Sequence, residues 1–98
     1  MNKLRLVSPA YEELRAAALF YDDSAPGLGS DFMDSVEQLI SRLLDSPRIG
    51  KPILSRLRSF PISKYPFDLV YLVDTDELVI VAIAHQSRRP GYWMDRIS

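Results

Sequence analysis

The hydrophobic period of this chain changes partway along, and that change limits the folds open to it. Before Pro47, apolar residues recur every three to four positions; beyond Pro66, two runs, Phe67 to Val73 and Leu78 to Ala84, are apolar at nearly every position. The first pattern belongs to amphipathic helices and the second to strands covered on both faces. Polar Asp74-Thr75-Asp76-Glu77 joins the two runs and predicts a β-hairpin.

The remaining elements fall around that division. Lys3 to Val7 alternates polar and apolar residues, as a short strand does. Ser8-Pro9 then starts a helix, the serine as a cap and the proline at the first helical position, with Glu12 and Glu13 in the first turn, where the helix dipole favours negative charge. Tyr11, Leu14, Ala18 and Tyr21 form its expected apolar stripe, and it runs to about Asp23, before Ala25-Pro26-Gly27. Gly29-Ser30 opens a second helix with the stripe Phe32, Val36, Leu39, Ile40 and Leu43, ended by Pro47. The short link makes the two an antiparallel hairpin. Pro52 to Ile62 is a weaker strand candidate, with Arg56 and Arg58 on one face and Leu57 on the other; Pro61 and Pro66 confine it to an edge or to an irregular link. The expectation is a single α+β domain over residues 1–98. In it an N-terminal strand and a two-helix hairpin pack on a small, mainly antiparallel sheet of about four strands.

Composition narrows the chemistry. The 98 residues suffice for one modest core, and with no cysteine and one histidine, thiol catalysis, disulfides and a transition-metal site are not expected. The first apolar stretch is too short for a secretion signal and no run is long enough to span a bilayer, so a cytoplasmic protein without membrane contact is expected. Pro26-Gly27-Leu28-Gly29 lacks the lysine and hydroxyl residue of a phosphate loop. No cofactor is expected.

The net charge of −1 hides a segregation: residues 1–50 carry five basic and eight acidic side chains, residues 51–98 seven and five. The later acids cluster at Asp74, Asp76 and Glu77, leaving Arg56, Arg58, Lys64, Arg88, Arg89 and Arg96 as a basic group. Such a group is either solvated charge or a surface for phosphate or an acidic partner. Chemistry is densest just after Ala84, where His85, Arg88, Arg89, Tyr92, Trp93 and Arg96 follow the last core strand.

In order and spacing these residues resemble the RelE/ParE toxin family over almost the whole chain. Ser8-Pro9-Ala10 with Glu13-Leu14 is similar to the start of the family's first helix. Phe20-Tyr21, Pro26-Gly27-Leu28-Gly29 and Phe32 are similar to its helix junction. Arg58-Ser59-Phe60-Pro61-Ile62, Tyr65-Pro66-Phe67 and Tyr71 resemble its arginine strand and the aromatic segment after it. Ile83-Ala84-His85, Arg88-Arg89-Pro90 and Tyr92-Trp93 resemble its C-terminal signature. The resemblance implies the toxin of a bacterial type II toxin–antitoxin system, arresting growth and neutralised by a cognate antitoxin, with operator DNA reached only through that antitoxin. It implies one of two targets: DNA gyrase, blocked by ParE-like members, or mRNA in the ribosome, cleaved by RelE-like ones. A non-toxic co-repressor that only binds the antitoxin is a third reading.

Cleavage of RNA through its 2′-hydroxyl needs cations for the phosphate and groups that move protons. Arg58, Arg88 and Arg89 are candidates for the first; His85, and Tyr92 if its pKa is lowered, for the second. The bland alternatives stand beside them: His85 as a cap on a backbone carbonyl, Arg58 as a tie between the sheet edge and the C-terminal tail, Tyr92 and Trp93 as hydrophobic anchors for that tail. The segment holding Arg48, Lys51 and Arg56 has neither a glutamate nor a dense lysine cluster, which favours the ParE-like reading. There, Arg56, Arg58, Lys64, Arg88, Arg89, Trp93 and Arg96 would contact target or antitoxin.

Overall fold

Strands β4 (Phe67–Asp74) and β5 (Glu77–His85) form the expected hairpin and supply the centre of the molecule. Asp74 pairs with Glu77, so Thr75 and Asp76 make the turn, with Thr75 at φ 58°. In the computed structural model, which describes residues 3–54 and 56–97, the hairpin lies inside a five-stranded sheet of order β1-β5-β4-β3-β2. The outer members are β1 (Lys3–Leu6), β3 (Arg58–Pro61) and the two-residue β2 (Lys51–Pro52). All neighbours are antiparallel except β1, which runs parallel to β5.

The Pro52–Ile62 segment is not one strand. The chain reverses between β2 and β3, where Ile53 N–H donates to Leu57 O (3.0 Å) and Leu57 N–H to Leu54 O (2.9 Å). Arg56 therefore sits in a turn rather than beside Arg58 on a strand face; Ser55 lies outside the described residues.

Helices α1 (Ser8–Ser24) and α2 (Leu28–Asp45) cover one face of the sheet. The stripe of α2 lies as its spacing predicts, with Phe32, Val36, Leu39 and Leu43 buried. In α1 the phase differs from the expectation. Ala10, Leu14 and Ala17 are buried, while Tyr11 is 54% exposed. Two alanines on the inward face let the helix lie close to the sheet, and a tyrosine there would hold it off. The start differs too. Val7 holds the cap position without any side-chain cap, and the helix begins early enough that Glu12 and Glu13 fall beyond its first turn.

The two faces of the hairpin build separate cores. Leu69, Tyr71, Leu78, Ile80 and Ile83 pack toward the helices. Val70, Leu72, Val79, Val81, Ala82 and Ala84 pack on the other face, under Leu57 and Trp93. Strict alternation along β5 would send Ala82 to the helices and Ile83 away from them. A bulge prevents this: Val70 pairs with Ala82 and Tyr71 with Ile80, leaving Val81 as the extra residue. The second face is roofed by the C-terminal tail, a series of turns ending in the 3-10 segment Met94–Ile97. At Gly91 the tail takes φ +83°, which a side chain would strain, just before Trp93 enters the core.

Gly29 marks a close approach of the helices. A Cβ there would lie 2.5 Å from Ala18 O and 2.8 Å from Asp22 Cγ, while Gly29 N–H donates to Asp22 Oδ1 at 2.8 Å. We predict that Gly29→Ala lowers stability by about 1–3 kcal/mol through this overpacking. Denaturant unfolding checks it: an unchanged midpoint would mean the helices part at negligible cost.

Candidate functional site

Strand β1 is shorter than its neighbour, and the site begins where it stops. Leu6 pairs with Ile80, and Val7 N–H makes the last bond of that ladder, to Ile80 O (3.1 Å). The chain then turns into α1 while β5 runs on to His85. Backbone groups of β5 beyond Ile80 are left without a strand partner on that edge, and buried amides need one. Two side chains far apart in sequence supply it. Glu13 Oε1, on α1, accepts from Ile83 N–H (3.1 Å), and Arg96 Nη1, on the tail, donates to Val81 O (3.1 Å).

The same two side chains meet in a double contact, Arg96 Nη1 to Glu13 Oε1 at 2.8 Å and Nη2 to Oε2 at 2.9 Å. Tyr92 OH donates to Glu13 Oε2 at 2.5 Å. Arg96 and Glu13 are only 15% and 19% exposed, so this pair is far less screened than a surface one. Burial pushes the Glu13 carboxyl up, but donation from Arg96, Tyr92 and the Ile83 amide outweighs it and holds Glu13 below the ordinary 4.5. Burial, and then the bond to anionic Glu13, push the Tyr92 hydroxyl up to about 12. For Arg96 the bond to Glu13 raises the pKa further. At neutral pH all three groups therefore hold their protonation states: an anion, a neutral donor and a cation.

Tyr92 carries this cluster to the surface. The Arg88 guanidinium lies over its ring, 3.9 Å from the centroid, with that of Arg96 at 5.1 Å. Arg88 and Arg89 border a groove of about 390 Å³ between the tail and the outer face of the sheet. Val70, Ala84 and Trp93 contribute apolar lining, and the partly exposed Ile53, Leu54 and Met94 extend it. The acid among its lining residues, Asp68, accepts from Gln86 Nε2 at 3.1 Å. The result is an apolar cleft with two arginines at its border.

His85, Arg88, Arg89, Tyr92 and Trp93 come together at this groove. Arg58 does not. It pairs in register with Tyr71, hence on the helix face, and its Nη1 donates to Gly50 O (2.8 Å) and Arg48 O (3.1 Å). It ties the loop between α2 and β2 to the sheet, rather than the tail as its position suggested. Arg56 lies 3.8 Å from Asp74, and Arg96 is engaged with Glu13. Lys64 stands at φ 74° in the turn after β3, outside the groove lining. Trp93 is buried in the outer core. The His85 ring packs on Phe67, centroids 5.0 Å apart, and its Nδ1 accepts from Ser87 N–H at 3.1 Å. Of the residues proposed for proton and phosphate chemistry, His85, Arg88 and Tyr92 thus share the groove while Arg58 stands apart, and the Tyr92 pKa moves opposite to what a proton-shuttling tyrosine needs.

Glu13 is the residue that the linear pattern missed. Its partners lie 70, 79 and 83 positions away, so no local spacing marks it. Among the described residues no cluster of His, Asp or Glu could hold a metal ion, and no helix is long and apolar enough to cross a membrane.

Residues 4–90 match the family model described as the ParE toxin of the type II toxin–antitoxin system parDE. Among solved structures, a chain of the chromosomal ParDE system from P. aeruginosa superposes with a TM-score of 0.74 at 18% identity. That match covers 85% of this chain and 94% of that one. The isolated RelE toxin of E. coli superposes with a TM-score of 0.66 at 19% identity, covering 95% and 93%. At these identities the two structures speak to the fold. No curated protein sequence matches the chain.

Because the depressed Glu13 pKa favours the folded state only while the carboxyl is ionised, its contribution is present above the ordinary 4.5 and lost as pH falls through the folded value. We predict that Glu13→Gln lowers stability at neutral pH by about 1–3 kcal/mol, by leaving a half-buried guanidinium without its anion. The variant also flattens the fall in stability below pH 4.5. Thermal unfolding across acid pH reads both; equal slopes for variant and parent would refute the assignment.

Proposed function

The chain belongs to the ParE toxin family of type II toxin–antitoxin systems, and from that premise we propose that it arrests growth by binding, with the groove bordered by Arg88 and Arg89 as its contact surface and DNA gyrase as its target. The proposal places it in the cytoplasm with its target. One observation carries this reading. The groove joins two cations to apolar surface, while its tyrosine hydroxyl is committed to Glu13 and held near pKa 12. Such a surface suits recognition, where aromatic and arginine groups dominate affinity, better than general acid–base catalysis.

A cognate antitoxin follows from the family. We propose that an acidic, partly disordered segment of it folds into the same groove. Arg88 and Arg89 would attract its carboxylates, and the exposed flanks of Ile53, Leu54 and Met94 would take its apolar side chains.

The cleaving alternative has its own observation. Arg48, Arg56 and Arg58 line a second depression, of about 370 Å³, where a phosphate backbone would find cations. Pulse-labelling after induction without antitoxin separates the readings. DNA synthesis failing first, with DNA damage, is the expected result. An immediate fall in protein synthesis would replace it with ribosome-dependent mRNA cleavage, and no arrest at all with the non-toxic co-repressor. A second prediction concerns the groove: Arg88→Glu with Arg89→Glu reduces antitoxin affinity at low salt by about tenfold or more. Unchanged affinity in the folded variant removes the antitoxin from this surface.

A further inference from the structure

Arg88 is exposed on a tail of turns, yet it rests on a ring that is bonded to the opposite layer of the protein. Its guanidinium stacks on Tyr92 at 3.9 Å; the Tyr92 hydroxyl donates to Glu13 Oε2 at 2.5 Å; and Glu13 is fixed in turn by Arg96 and by the Ile83 amide. A tyrosine ring held only by packing on a solvent-facing tail would have rotational freedom. One whose hydroxyl is a donor in a half-buried ionic cluster presents a single face. An arginine side chain loses considerable rotamer freedom when ordered on binding, and stacking on a fixed plane reduces that cost beforehand. We infer that Glu13, half-buried on helix α1 where it meets the tail, is a positioning residue for recognition: through Tyr92 it sets the place from which Arg88 reaches a carboxylate or other anion in the groove.

The role is distinct from holding the fold together. Glu13 Oε1 answers the Ile83 amide and Arg96, a bond set that serves the sheet edge; Oε2, shared by Arg96 and Tyr92, leads to the groove. Tyr92→Phe removes only the second connection while keeping the ring and its apolar contact. It therefore separates positioning from stability in a way that Glu13→Ala does not.

This inference rests on the groove being the contact surface, and the test distinguishes the two. The full chain is compared with Tyr92→Phe, Glu13→Gln and Arg88→Ala. One readout is the ring-current displacement of the Arg88 side-chain NMR signals, which reports where the guanidinium sits over the ring. The other is growth arrest on graded induction. The expected result is that Tyr92→Phe, still folded, loses most of the displacement and needs up to about tenfold more protein for arrest, the cost of ordering a rotamer-rich side chain on binding. Glu13→Gln shows the same displacement loss. If Arg88 signals and arrest are both unchanged in folded Tyr92→Phe while Arg88→Ala loses arrest, the groove reading stands and the positioning role of Glu13 is overturned. If Arg88→Ala itself arrests growth normally, the groove reading fails and the role of Glu13 falls with it.

Discussion

The contact on which the rest of the structure depends is the Glu13 carboxylate at the edge of β5. Strand β1 pairs with β5 only as far as Ile80, and the chain needs that early exit to enter α1. Extending β1 would satisfy the remaining backbone groups but delay the helix that covers the sheet. Glu13 and Arg96 resolve the conflict by standing in for a strand, one accepting from the Ile83 amide and the other donating to the Val81 carbonyl. Because these groups also neutralise one another, each charge is partly paired when it leaves water. One carboxylate thereby joins the first helix, the central strand and the tail.

The tail matters because the sheet has two apolar faces and only one pair of helices. With α1 and α2 on one side, the Val70, Leu72, Val79 and Ala84 side would face water unless something else covered it. Trp93, with Leu57, is that cover, and the bulge at Val81 decides which residues of β5 it meets. The groove is the part of this face that the tail leaves uncovered, which is why it is apolar within and bordered by the tail's own arginines. The proposed recognition surface and the core lid are one segment, held by the same ionic cluster.

Charge is distributed by the same geometry. The acids of the β4–β5 turn lie near basic groups that the sequence places far away: Asp76 is 3.9 Å from Lys3, Glu77 is 3.2 Å from Arg5, and Asp74 is 3.8 Å from Arg56. These exposed pairs add little to stability. Their effect is to pair positive charge with negative at one end of the sheet, whereas Arg88 and Arg89 border the groove.

What the sequence by itself determined is the class of the fold and nearly all of its elements. The hairpin at Asp74–Glu77, the stripe of α2 and the family are legible because periodicity, turn chemistry and motif order are properties of neighbouring residues. The phase of α1 was less legible, since alanine and tyrosine both suit an apolar stripe and only the distance to the sheet selects between them. The tertiary structure alone decided the site. It sent Arg58 to the helix face and tied it to the Arg48–Gly50 loop, fixed the Tyr92 proton, and made Glu13, which reads as an ordinary acid near a helix start, the centre of the ionic cluster. The physical reason is sequence separation. Glu13 meets Tyr92 and Arg96 across some eighty positions, a contact that exists only once the sheet, the helix and the tail have been brought to the same edge.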